Sequence, residues 1–474
     1  MTDARRNRWA VGVFGVVALA AALLLTVSGP AGAAALNPVI EWVSIVQPAI
    51  HNPAEPRPPV SSEVLHTIVH LAVYDAVVAI EGGYEPYGAS ITAPPGADVG
   101  AAVAAAAYRT ARGRVAPSQV AYLDEQYRAY MVGIPDGRAK NAGVAVGEAA
   151  AAGLLSRRAD DHFGNAIAYR CRANPLPVGE FEPNSGCGTE PVDASVAQVK
   201  PFTFDRPDQF RPDGPDALSS EQWVTDFNEV KDYGRKDSAM RSPEQTDIVY
   251  FWSEHGYVHW NRNLNSLATT RGLGVRDTAR LFAMAHTAAA DASIAGMEAK
   301  YHYRAWRPRS AIPRAADDGN PHTDANPTWV PLLSVNHPEY PSAHAFFSTA
   351  LSDAVVAFFA TEQLAWTLET DKTAVPALVQ TRRTYQSNAA LMADIANARI
   401  WAGLHYRNSM NEGQALGARV ARHVTRNYFR PRTADPPAQL PRTGNSPLWF
   451  LVTLGLGLAL TGALTETLSS RRRL

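Results

Sequence analysis

Three short segments place cations and histidines where an apolar helix core would exclude them. The first is Lys300-Tyr-His-Tyr-Arg-Ala-Trp-Arg307-Pro308. Lys300 and Arg307 are seven residues apart, about two helical turns, so on a continuous helix they share one stripe. Pro308 then takes the chain out of the helix. Two parallel cations repel unless an anion sits between them. The second is Pro338-Glu-Tyr-Pro341-Ser342-Ala343-His344, followed by the apolar run from Ala345. Pro and Ser favour a helix start. A helix start offers free N–H groups and a positive dipole end to an oxyanion. Ser342 adds a hydroxyl, the Ala343 N–H a donor, and His344 a titratable group. The third is Arg399-Ile-Trp-Ala-Gly403-Leu-His405. Six residues on an unbroken helix would separate Arg399 from His405. Gly403 permits a break that lets His405 swing back. Ser409 with Glu412 then reads as a capping box for the next helix, leaving His405 on a short link.

Together these residue types describe a cage for a tetrahedral oxyanion, with imidazoles for acid–base, nucleophilic or ligand chemistry. The elements that must position it are helical. Alanine-rich helical periodicity runs over His66–Ile80, Val99–Tyr108, Ala142–Leu155, Thr278–Arg304, Ala345–Phe359, Pro376–Arg399 and Glu412–Tyr428. Thr203–Phe210 reads as a short, isolated strand. The Pro- and Gly-rich stretch 174–214 reads as a surface excursion. The expected class is all-α, a multi-helix bundle.

The chain has 474 residues and is 46% hydrophobic, with 44 Lys and Arg against 45 Asp and Glu. That balance excludes a basic nucleic-acid-binding surface as the main feature. Association into oligomers is left open. Cys171 and Cys187 are the two cysteines. In an exported protein such a pair predicts a disulfide rather than a metal site.

Export itself is read from the termini. Arg5, Arg6 and Arg8 precede an apolar run from Trp9 to Ser28, then Ala31-Gly32-Ala33. This is the pattern of a secretory signal peptide over 1–33. At the other end, Leu440-Pro-Arg-Thr443-Gly444 precedes an apolar stretch from Leu448 to Leu464 and then Arg471-Arg472-Arg473. This order resembles the LPxTG sorting signal of Gram-positive surface proteins. The resemblance implies sortase and peptidoglycan as partners and a cell-wall-anchored location. Residues 431–444 would be a Pro-rich spacer carrying the motif, and 445–474 a membrane-spanning sorting tail. Residues 34–430 would carry the function.

The three segments, in this order, resemble the superfamily of acid phosphatases and vanadium haloperoxidases. Their surroundings resemble the haloperoxidase branch: Ala290-Asp-Ala292, Trp306-Arg307-Pro308, His337-Pro-Glu-Tyr340, Trp401-Ala-Gly-Leu-His-Tyr-Arg407 and His70-Leu-Ala-Val-Tyr-Asp-Ala76. The resemblance implies the fold of vanadium haloperoxidases and type 2 phosphatidic acid phosphatases. It implies that Lys300, Arg307, Ser342, the Ala343 N–H and Arg399 hold vanadate, that His405 ligates the metal, and that His344 is the acid–base group. Lys300 would also polarise bound peroxide. Hydrogen peroxide, a halide and a small organic acceptor would be the substrates.

Phosphate fits the same cage. In the phosphatase reading His405 is the nucleophile and His344 protonates the leaving group. A wall-displayed binding protein with a vestigial site is the third reading, disfavoured by the intact cation set. Two positions depart from the family pattern. Ala343 stands where glycine is usual, and Ser409 stands where many members carry an acid that orients the second histidine. His337 matches a histidine of bromide-oxidising members. Asp291 and His286 lie on the helix before Lys300; Asp291 could pair with a cage cation or be a buried structural acid, and Asp75 is similar.

Overall fold

The computed structural model describes residues 36–432, apart from 53, 89, 166, 168, 174, 185 and 188–190. The segments read as a signal peptide at 1–33, an LPxTG motif and a sorting tail lie outside the described residues.

The architecture is all-α, as the alanine-rich periodicity predicts. Thirteen α-helices occur among the described residues. The first five are α1 (Pro38–Ile50), α2 (Pro59–Glu81), α3 (Val99–Arg112), α4 (Pro117–Val132) and α5 (Arg138–Arg157). After the excursion come α6 (Glu221–Tyr233), α7 (Pro243–Phe251), α8 (Gly256–Thr270) and α9 (Val275–Tyr303). The last four are α10 (Pro308–Ala311), α11 (Ala343–Phe359), α12 (Asn388–Trp401) and α13 (Arg407–Asn427).

The 29-residue α9 is the axis, buried from Leu281 to Met297 and again at Ala299 and Lys300. It packs against α2, α11 and α13, while α3 joins α2 to α5. Small residues make these approaches close. A Cβ on Gly413 would meet Ala345, and one on Gly417 would meet the Phe346 carbonyl at 2.5 Å. Glycine at both positions lets α13 lie on α11, which brings the ends of both helices to one site.

Four sequence expectations fail, each for a tertiary reason. Half of the helix expected over Pro376–Arg399 is absent. Arg382–Tyr385 instead pairs antiparallel with Trp366–Glu369, a non-local partner that periodicity cannot reveal. The strand expected at Thr203–Phe210 is absent too. The Phe202 and Thr203 N–H groups donate to the Asp291 carboxylate at 2.6 and 3.0 Å. Asp291 is therefore a structural acid and takes no part in the cage.

The capping box is the third. Helix α13 begins at Arg407, ahead of Ser409. Carboxylates from other elements serve its start: Tyr406 N donates to Glu339 Oε1 at 3.2 Å and Asn408 N to Asp226 Oδ2 at 2.5 Å. Ser409 is left buried inside the first turn. Last, Lys300 and Arg307 do not share a helix. Helix α9 stops at Tyr303, Arg304 turns left-handed (φ 54°), and Arg307 caps α10. The turn, not a helical stripe, brings the two cations together.

Cys171 and Cys187 are joined as expected. The bridge closes a 16-residue separation, which the chain-entropy relation values at about 3 kcal/mol. Replacing both with serine is expected to lower the unfolding free energy by up to that amount. A denaturant titration reads the shift, and an unchanged midpoint would refute it.

Asp75 is structural, accepting from Tyr87 N and Gly88 N at 2.7 and 2.9 Å. His286 donates to or accepts from Glu63 at 2.9 Å in the core, with His70 stacked on it at 4.4 Å. Burial, then His286, pushes the His70 pKa well below the imidazole range. As pH falls below about 6.5 the unfolded chain takes up this proton and the folded chain does not. Stability from this group is thus full above that pH and lost on acidification. His70→Phe is expected to flatten the fall in unfolding free energy between about pH 6.5 and 5 by up to about 1.4 kcal/mol per pH unit. Equal slopes in the two proteins would refute it.

Candidate oxyanion and metal site

The site forms where the C-terminal end of α9, the N-terminus of α11 and the α12–α13 link meet. Lys300 is 0%, Arg307 1% and Arg399 4% exposed. Three buried cations need strong compensation, yet among the described residues the carboxylate beside them is Glu339 alone. Backbone carbonyls hold the rest. Lys300 Nζ donates to the Pro338 and Glu339 carbonyls at 2.9 and 2.8 Å. Arg307 donates to the carbonyls of His337 at 2.6 Å and Leu404 at 2.8 Å. Arg399 Nη1 reaches the Trp252 carbonyl at 3.1 Å. Burial lowers all three cations, Arg307 to about 10 and Arg399 to about 9. An anion among them would oppose that shift and favour the charged forms.

The histidine geometry is directional. Helix α12 ends at Trp401, and Gly403 adopts φ 75°. Any side chain there would be strained and would strike the Gly234 carbonyl at 2.5 Å. The turn delivers His405 to the cations. Its Nδ1 meets Glu339 Oε1 at 2.7 Å, and its Nε2 lies 3.4 Å from Arg307 Nη1. Burial, followed by Arg307 and Lys300, holds the imidazole neutral. With Nδ1–H directed at a carboxylate, Nε2 carries the lone pair for a metal or a phosphorus atom. Glu339 itself is pushed up to about 7 by burial, against the pull of Lys300 and Arg307.

Glu339 is the functional residue that sequence reasoning missed. It does what the acid four residues beyond the second histidine does in the family pattern. Ser409 occupies that place, its Oγ 3.4 Å from His405 Nδ1. The available signal was an acid set among prolines immediately before the helix start. The other departure, Ala343, causes no strain. It opens α11 and is absent from the residues with positive φ. Ser342 is the N-cap, and the first-turn N–H groups of α11 have no partner within the helix.

Two buried polar atoms of the expected cage have no protein partner: Ser342 Oγ and Arg399 Nε. Excess positive charge, orphaned donors and an imidazole lone pair together fit an oxyanion, and vanadate or phosphate satisfies all three. The site opens into a cavity of about 440 Å³, where Ala343, His344, Arg399 and His405 meet Val60, Met297 and Phe347. His344 is half-buried on this cavity. Burial, then Arg399 and His259, lowers its pKa, and a hydrogen bond to the Trp252 carbonyl opposes the shift. His337 also lines the cavity, and Arg307 Nη2 donates to its Nδ1 at 3.0 Å. All the expected cage residues are thus at one place.

Comparison with known proteins bears on the family and the fold. Residues 280–432, which span all three segments, match the family described as the VCPO second helical-bundle domain. The vanadium chloroperoxidase of Curvularia inaequalis is 28% identical over 229 residues, 36% of this chain. These comparisons support the vanadium haloperoxidase family. The match spans only 37% of the chloroperoxidase's own length. In three dimensions the chain resembles a bacterial vanadium-dependent iodoperoxidase, with TM-score 0.68 and 22% identity. That likeness covers 84% of this chain and 96% of the other. It also resembles a bacterial vanadium-dependent chloroperoxidase in its holo form, with TM-score 0.62 and 17% identity over 80% and 94% of the two chains. The vanadium haloperoxidase fold therefore extends well beyond the segment matched in sequence, over most of the helices described above.

Proposed function

We propose that the chain is an exported, cell-wall-anchored haloperoxidase that uses histidine-bound vanadate to oxidise halide with hydrogen peroxide. The observation that carries this reading is His405. Its Nδ1 is fixed by Glu339, which leaves the lone pair on Nε2 with one long contact, 3.4 Å from Arg307 Nη1, and three buried cations surround it. Lys300, Arg307, Arg399, Ser342 and the Ala343 N–H would hold the oxygens of vanadate, and His405 would ligate the metal. When bound, vanadate supplies a Lewis-acidic centre that activates peroxide without changing its oxidation state.

The chain's own residues do the remaining work. Lys300, held by two carbonyls, has a third N–H to donate to peroxide oxygen. His344 takes or gives the proton on the cavity side. Val60 and Phe347 keep that side apolar and limit water. Overall, hydrogen peroxide, halide and one proton give hypohalous acid and water. A small organic acceptor then takes the halogen.

A second reading draws on Glu339. The absence of an acid at Ser409 weakens a phosphatase, because its nucleophilic histidine needs an orienting carboxylate. Glu339 provides one, so extracellular phosphomonoester hydrolysis through a phosphohistidine on His405 remains a distinct alternative.

One experiment separates them. The chain is loaded with orthovanadate, freed of excess, and assayed for bromination of a dione with peroxide and bromide. A vanadate-dependent rate is the expected result. Cleavage of a phosphate ester that vanadate inhibits, with no bromination, would replace this reading with the phosphatase. Export and anchoring are tested by wall fractionation of the native host. Recovery in the cytosol would refute them.

A further inference from the structure

The cavity wall contains one side chain that the chemistry above does not use and that its product would attack. Met297 lies on α9, three residues before Lys300, and lines the cavity beside His344, Phe347 and His405. Residues three apart on a helix are neighbours on one face. The chain has 10 tryptophans and 17 tyrosines, yet neither type lines this cavity, and no free cysteine exists among the described residues. The thioether of Met297 is therefore the most readily oxidised group in the wall, because divalent sulfur takes an oxygen atom more easily than imidazole or phenyl reacts.

We propose that Met297 is a turnover-dependent modification site, converted to its sulfoxide by hypohalous acid formed in the cavity. This inference rests on the haloperoxidase reading. In the balanced step the sulfur attacks the halogen and its lone pair expels hydroxide. Water then replaces halide at sulfur. The net change is thioether plus hypohalous acid giving sulfoxide, halide and a proton. The thioether is oxidised by two electrons and the halogen is reduced by two. No reagent is needed beyond what the proposed activity makes.

The consequence is a self-limiting enzyme. A sulfoxide is polar and chiral where the thioether was apolar. Met297 packs in the α9 core, 1% exposed, so the new oxygen is forced toward the cavity or strains the core. Each Met297 oxidised would remove a site from productive turnover.

Exposure makes the test sharp. Met240 is 60% exposed, against 1% for Met297. Oxidant arriving from bulk solution must reach Met240 first. Oxidant born in the cavity meets Met297 first. The vanadate-loaded full chain is given peroxide and bromide, and sulfoxide at each methionine is quantified by peptide mass spectrometry. Bromination is followed in the same samples. Controls are peroxide without bromide, and reagent hypobromite added to the resting protein.

During turnover, sulfoxide at Met297 is expected to exceed that at Met240 by about five-fold or more. Reagent hypobromite is expected to reverse that order. In Met297→Leu, the rate constant of inactivation during turnover, normalised to the variant's own initial rate, is expected to fall several-fold. Bromination with Met297 unmodified, or with Met240 oxidised first, overturns this inference alone. If Met297 is oxidised equally without bromide, peroxide is the oxidant and the inference is again overturned. Absence of bromination sinks the haloperoxidase reading and this inference with it.

Discussion

His405→Ala is expected to eliminate vanadate-dependent halide oxidation and to weaken vanadate binding by more than about 100-fold. That bound follows from the 10–100-fold typical for losing only an orienting partner of a metal ligand; here the ligand itself is lost. The cations should survive the change. Arg307 keeps its bonds to the His337 and Leu404 carbonyls, and Lys300 keeps both of its own. Phosphate, which needs no nitrogen ligand to be held, should therefore bind the variant far better than vanadate does. Equilibrium dialysis with each oxyanion checks both halves. Vanadate bound as tightly as in the unaltered protein would show that His405 is not the ligand.

The second large effect is expected at Glu339, a positioning residue that acts through His405. Glu339→Ala removes the acceptor for His405 Nδ1 and for Tyr406 N. The imidazole then has no fixed tautomer, and vanadate affinity should fall by about 10–100-fold. Glu339→Gln separates orientation from charge, because its amide oxygen can still accept from Nδ1. Recovery of affinity in Glu339→Gln with loss in Glu339→Ala identifies orientation as the cause. A merely structural role would lower thermal stability in the alanine variant and leave the affinity per folded molecule unchanged.

Much of the site was legible because its residue types are costly anywhere else. Lys300 and Arg399 stand at the ends of alanine-rich helical periods, with Arg307 just before a proline, and an anion makes such a set of cations worthwhile. Gly403 announced the break that frees His405. Helix-rich architecture was legible for a simpler reason: long alanine-rich periods admit few alternatives.

What stayed hidden depended on partners distant in sequence. Nothing near Glu339 states that its carboxylate faces His405, 66 residues on. Ser409 and Glu412 form a correct local capping signature, overridden because Asp226 and Glu339 reach the helix start first. Arg382–Tyr385 was drawn into a helix because its strand partner, Trp366–Glu369, lies outside any local window. Asp291 likewise looked available to the cage until the Phe202 and Thr203 N–H groups claimed it.

The seven residues Pro338–His344 serve several other parts of the cage. Two of their carbonyls hold Lys300, the Glu339 side chain holds His405, and Ser342 N reaches across to the Ser409 carbonyl at 3.0 Å. The same stretch ends in His344. Lys300 and His405, though far apart in the chain, are thus read out through one short strap. Epistasis between them is the natural outcome. Two substitutions that each displace the strap should cost less together than their separate costs add to, since the second finds it already moved. Evolutionary change in this site would then proceed by altering the strap itself, shifting both partners at once, rather than by retuning its ligands one at a time.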